Sequence, residues 1–255
     1  MLTRSYCLFC LVLSLTAHHA LAQDMFRLNT EENPPFSYSD EKTGQHMGIE
    51  LELVEEVFKQ ADIPYQIVTL PWPRAYQEAM NERNTCVFMT AQTEDRMGLF
   101  KWVGPFLKVE WVIYGRPDET RKINSIEDLK KWRVGGYISD APAEYLKNRG
   151  VPVDFVTIDA LNPKKLDQGR IDAWATNNVR GPLIAKKISV KLKQLYSLRV
   201  ISHYVACNRS IDQKTVDSLN RKVQRVKAQG LFEKKILKYQ KMGLSLPKTD
   251  EGKNK

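Results

Sequence analysis

Histidine and cysteine are both scarce: four of each occur in 255 residues, and half of each fall within the first 22. His46, His203, Cys86 and Cys207 remain beyond that stretch, without metal-ligand spacing, so no zinc centre is expected. Neither cysteine has a histidine placed to activate it, which argues against thiol catalysis. No apolar run reaches the roughly 20 residues of a membrane span. Glycine-rich phosphate loops are also missing, since Gly135-Gly136 fits neither a GxGxxG nor a Walker spacing. Acidic residues are in deficit, 30 Asp and Glu against 39 Lys and Arg, giving a formal net charge of +9. The lysines are scattered through helices and tail with no basic repeat, so a solvated basic surface is read and no nucleic-acid partner is expected. No cofactor is expected either.

The length suits one large domain or two lobes of ordinary size. Within the first 22 residues, Arg4 supplies a positive start, Leu8 to Ala17 an apolar core, and Ala20-Leu21-Ala22 a small-residue cleavage pattern. A signal peptide over 1–22 is expected, with export to the periplasm. Cys7 and Cys10 lie too far upstream of the cleavage site for lipid attachment, so the mature protein is expected to be free, soluble and monomeric. Cys86 and Cys207 each sit in an apolar, strand-like run, where one disulfide and two buried thiols are equally ordinary.

Alternating strand and helix signals fill the rest. Met25 to Asn29 reads as a strand, followed by the proline-stiffened loop EENPPFSY, whose aromatics Phe36 and Tyr38 can form a binding wall. From Ile49 to Phe58 apolar residues recur at helical spacing, and Tyr65 to Leu70 is a second strand, so a right-handed crossover and a parallel sheet are predicted. Pro73 suits a first helical turn, with Trp72 just outside it and Arg74 just within, which brings an aromatic and a cation to the carboxyl edge of the sheet, where ligands of open parallel sheets bind. Trp72 reads equally as a staple against its helix.

A third strand, Thr85 to Thr90, ends on a further candidate, Thr90, and leads into TEDRMGLFKWVGPF. Thr93 can cap a turn starting at Glu94 and Asp95. Arg96 then offers a planar fork of donors beside aromatic residues, a clamp for a carboxylate, although a surface pairing with Glu94 or Asp95 fits the spacing too. Trp102 to Phe106 and Val109 to Tyr114 read as strands with no room for a helix between them.

A second series of the same rhythm follows. Ser125 and Asp128 form a capping-box pattern, Arg133 to Tyr137 is a strand, and Ser139-Asp140 opens a helix. The strands Val153 to Thr157 and Ile171 to Thr176 bracket a helix from Ala160 to Gln168, and the second delivers Asn177, Asn178 and Arg180 to a loop. Arg180 can face a cleft or solvent. After Lys191 to Tyr196, His203 to Cys207 is a last strand, and two helices, Lys214 to Ala228 and Leu231 to Tyr239, close the chain.

In their order, PPFSY with Gly44 and Gly48, Trp72-Pro73-Arg74, TEDR with FKWVGPF, Gly169-Arg170-Ile171-Asp172-Ala173 and Gly230-Leu231-Phe232 resemble the bacterial periplasmic solute-binding proteins of the polar amino-acid class, family 3, soluble components of ABC importers. The resemblance implies an α/β fold, a two-lobed clamshell with two hinge-crossing strands near Phe106 to Val109 and Ile201 to Tyr204. Lobe one would be 23–107 plus 204–255, and lobe two 108–203. It further implies that a small carboxylate-bearing solute is captured by hinge closure, with an ABC permease or a membrane sensor as partner.

Arg96 falls on the family arginine that binds the ligand carboxylate. Phe36, Tyr38 and Trp72 fall beside its aromatic walls, and Ser139 and Asp140 on the second-lobe turn. Asn177 stands where an aspartate commonly pairs with the ligand ammonium, so the resemblance leaves the ligand's amino group open. Asp172 reads as structural. Two alternatives share the architecture: a ligand-sensing partner of a membrane signalling protein, and a periplasmic dehydratase-like enzyme, for which the second-lobe loop offers amides where a carboxylate would be wanted.

Overall fold

The computed structural model describes residues 25–241, so the expected signal peptide and the polar tail lie outside the described residues. Strand β1 (Phe26–Thr30) is followed by the short antiparallel pair β2 (Tyr38–Ser39) and β3 (His46–Met47), then α1 (Ile49–Gln60), β4 (Tyr65–Thr69), α2 (Trp72–Asn81) and β5 (Thr85–Ala91). β1 lies between β4 and β5 and is parallel to both. The apolar stripe of α1, including Leu53, Val54, Val57 and Phe58, is buried in the main core, as its 3.6-residue spacing dictates. Gly48 precedes α1 at a φ of 145°, and a Cβ there would lie 2.3 Å from the Phe36 carbonyl oxygen. That oxygen accepts the backbone N–H groups of Glu50 and Leu51, so the PPFSY loop itself closes the helix start. Trp72 is the first residue of α2, one position further in than the proline signal suggests, with Pro71 as N-cap.

α3 (Glu94–Met97) and β6 (Lys101–Val103) lead to β7 (Lys108–Gly115), and from there a second set is built: a 3-10 helix (Ile126–Lys131), β8 (Val134–Tyr137), α4 (Ala141–Lys147), β9 (Val153–Val156), α5 (Leu161–Asp167), β10 (Ala173–Asn177) and α6 (Arg180–Lys187). The capping box at Ser125 and Asp128 is present, but it starts a 3-10 helix. Leu129 of that helix is buried in a separate core with Ile113, Trp132 and Leu146.

β11 (Lys193–Cys207) is a single 15-residue strand where the sequence suggests two shorter runs. It joins the two halves: its first part pairs antiparallel with β7, from Lys193↔Gly115 to Ser202↔Lys108, and its last part with β5 and β6. The strand order β4-β1-β5-β11-β7-β10-β8-β9 thus runs through both halves, with β6 also on β11. At the crossing, Phe106 donates to the His203 carbonyl and His203 to that of Leu107, so the two connecting segments are hydrogen-bonded side by side. α7 (Gln213–Ala228) and α8 (Leu231–Lys241) return to pack on α1.

Cys86 and Cys207, opposite each other on β5 and β11, are disulfide-bonded. The bridge closes a 121-residue separation that contains the entire second half. A cross-link over so long a loop restricts the unfolded chain strongly, and it belongs in an oxidising compartment.

Candidate functional site

Parallel strands deliver their following residues to one edge, and here the carboxyl ends of both half-sheets meet. β1 runs out into Glu31 and Asn33, β4 into Trp72, and β5 into Arg96. From the second half, β8 leads to Ser139 and Asp140, and β10 to Asn177 and Arg180. Glu31, Trp72, Arg96, Asp140, Asn177 and Arg180 all line one cavity of about 30 Å³ between the halves.

Arg96 is buried, 5% exposed, at the third position of α3. Its Nη2 donates to the Ser139 carbonyl at 2.9 Å, and its guanidinium lies 4.9 Å from the centre of the Tyr76 ring. Nη1 is buried with no protein acceptor. A buried, charged donor left unpaired is costly, so this nitrogen is suited to an anion from outside the chain. The surface pairing with Glu94 or Asp95 is not what holds this side chain. Trp72 Nε1 also donates to the Ser139 carbonyl, at 2.9 Å, so one carbonyl of the second half receives two donors from the first. Ser139 adopts a φ of 61°, a left-handed conformation uncommon for a residue with a Cβ, at the point where this contact is made.

Arg180, whose orientation the sequence leaves open, faces the cleft and is buried. It pairs with Glu31 of the first half at 3.3 Å and with Asp159 at 3.1 Å, and lies 5.0 Å from the centre of the Tyr137 ring. Asp159 is itself held by Asn162 and the Trp174 indole. Burial pulls the Arg180 pKa down, but the carboxylates of Glu31, Asp159 and Asp140 outweigh it and the guanidinium stays charged. Burial pushes the Glu31 carboxyl up to about 7, against the pull of Arg180 and with help from Asp140 and Asp159. Asp140, the N-cap of α4, is likewise raised by burial, with Arg180 opposing.

Asn177 lines the cavity, but its Oδ1 accepts from the backbone N–H groups of Val179 and Arg180 at 3.0 and 2.8 Å and is therefore committed to the start of α6. The carboxyl groups that line the cavity are those of Glu31 and Asp140.

Four sequence candidates lie elsewhere. Phe36 is fully buried and edge-on to the His203 ring, so it supports the wall from behind. Arg74 points away, with its side chain 68% exposed and paired with Glu78 one turn on. Thr90 is buried with its hydroxyl turned back to the Val87 carbonyl. Tyr38 lines the larger groove that adjoins this cavity. Conversely, Glu31, Asn33, Asp159 and His203 are residues of the site or its support that sequence reasoning misses. Glu31 does carry a signal, since it directly follows a strand of the parallel sheet, but the aromatics of the same loop are the more conspicuous candidates.

The model of the bacterial extracellular solute-binding proteins, family 3, matches residues 27–242. The chain belongs to that family. Among curated relatives of this solute-binding family, a probable histidine-binding protein of Neisseria gonorrhoeae is 22% identical over 217 residues, covering 82% of this chain and 80% of the relative. Among solved structures, a histidine kinase sensor domain with similarity to periplasmic binding proteins superposes with a TM-score of 0.77 at 17% identity, covering 88% of this chain and 99% of that one. An ancestral arginine-binding protein bound to arginine gives 0.72 at 20% identity, covering 84% and 97%. The α/β fold is therefore that of the periplasmic binding proteins. Among the described residues, no helix is long and apolar enough to span a membrane.

Proposed function

We propose that the chain captures a small zwitterionic carboxylate, an amino acid or close analogue, between two lobes in the periplasm and hands it to an ABC permease. In this reading the lobes are, among the described residues, 25–107 plus 204–241 and 108–203, and the hinge is the paired crossing of β7 and β11. Binding is by closure around the solute. The observation that carries this reading is Arg96: a buried guanidinium with an unpartnered Nη1, lining the cavity between the halves.

In this reading the solute's carboxylate displaces the Ser139 carbonyl from Arg96, taking two donors in a fork where the carbonyl takes one. The ammonium lies against Asp140 and Glu31, which supply the charge that Asn177 does not. Burial raises the Glu31 and Asp140 carboxyls, and a positive group set against them favours their ionised forms, so an ammonium is matched electrostatically. Trp72 and Trp111 provide apolar walls.

A thermal-shift screen of the mature protein against amino acids tests the assignment. A solute at 100 times its dissociation constant adds about 2.7 kcal/mol of stability. Arg96→Ala is expected to weaken every responsive solute roughly ten- to a hundredfold, the range of a hydrogen bond to a charged group. An unchanged response would remove Arg96 from the site.

A further inference from the structure

The 30 Å³ beside Arg96 are matched by a much larger space next door. A groove of about 770 Å³ adjoins the central cavity, and Glu31, Asn33 and Arg180 line both. The Glu31–Arg180 pair is thus the partition between them. Beyond it the walls are chiefly apolar and come from both halves: Pro34, Pro35 and Leu70 on one side, Ile158, Leu183 and Ile184 on the other. Ile158 is 62% exposed, an apolar side chain held at the groove wall in contact with solvent. The charged groups of the groove are engaged within the protein: Arg180 by Glu31 and Asp159, Lys187 by Glu41 across the halves, and Glu32 by the backbone N–H of Ser39, with Lys187 close enough to feel its charge.

We propose that the solute is an α-amino acid with an extended apolar side chain, whose head occupies the Arg96 cavity and whose tail passes the Glu31–Arg180 partition into this groove. This rests on the zwitterion reading above, and it specifies the substrate class. The order of groups along such a molecule matches the order of the site: carboxylate at Arg96, ammonium at Asp140 and Glu31, then a side chain leaving past Glu31. A cationic tail is disfavoured, because Glu31 and Asp159 already face Arg180 and Glu32 already lies near Lys187. A tail reaching only a few atoms would leave the apolar walls in water, whereas an alkyl or arylalkyl chain removes them from it.

Calorimetric titration with alanine, norvaline, norleucine and 2-aminooctanoate, with lysine as the cationic comparator, tests this. Each added methylene is expected to tighten binding about fourfold, with norleucine ahead of lysine. Ile158→Asp, at an exposed position, is expected to flatten the series while leaving alanine within about twofold, and Thr69→Trp, filling the opposite wall, to do the same. Equal affinities along the series, or lysine ahead of norleucine, would overturn the groove assignment while leaving the head site intact. No binding of any of these zwitterions would overturn the head site and the groove assignment together.

Discussion

Glu31 shows how burial and pairing act on one residue. It is paired with Arg180, yet its carboxyl is raised to about 7 because burial outweighs the neighbouring guanidinium. In the unfolded chain a glutamate titrates near 4.3. Between those values the folded protein holds a proton that the unfolded chain has lost. The stability this represents is complete below about 4.3 and disappears as the pH rises through about 7. Glu31→Gln cannot titrate, so its melting temperature relative to wild type should climb between pH 4.5 and 7.5, by the equivalent of a few kcal/mol at most. A constant offset across that window would show that Glu31 does not titrate there. Glu31 is legible in the sequence only as a strand-end residue, because its cationic partner Arg180 lies 149 positions away.

Among the elements, α6 and β10 give Asn177 a structural task. Its oxygen accepts from two backbone N–H groups at the helix start, which would otherwise have no partner there. Asn177→Ala should cost about 1 kcal/mol in denaturant unfolding, whereas Asn177→Asp keeps the acceptor and should cost less. If both variants lost equal stability, the cap would not be the residue's role. Asn177 is visible in the sequence as a strand-end amide, but its meaning is not, since a cap and a ligand contact use the same residue types. Asp172 differs: its expected structural role is met by Arg133, which it engages through both oxygens, and the arginine hydrogen bonds hold its carboxyl well below the usual range. Periodicity locates α1, and Pro73 the start of α2 to within a residue. β11 reads as two runs because the mixed residues Ser197 to Ser202 carry no clean alternation; pairing with β7 and β5 on either side makes them one strand.

For the whole molecule, the two half-sheets are legible because each repeats the same strand-helix rhythm, and the order of weak motifs points to the family. The contacts between the halves are not. Ser139 meeting Trp72 and Arg96, Glu31 meeting Arg180, and Glu41 meeting Lys187 depend on how the two halves are set against each other across the β7–β11 crossing. No local pattern encodes that arrangement. The disulfide adds a tie on one side only, pinning β5 to β11 in the first half and leaving the second attached by two strands. Such an arrangement suits hinge motion with a fixed pivot.

The central claim is that a solute is gripped at both ends, by Arg96 and by the carboxylates Asp140 and Glu31. Calorimetric titration with the best-binding amino acid, its carboxamide and its α-hydroxy acid tests it most directly. The amino acid should bind at least about tenfold more tightly than either analogue, because each lacks one charge-assisted contact. Equal binding of the carboxamide would contradict the role of Arg96, and equal binding of the hydroxy acid that of Asp140 and Glu31.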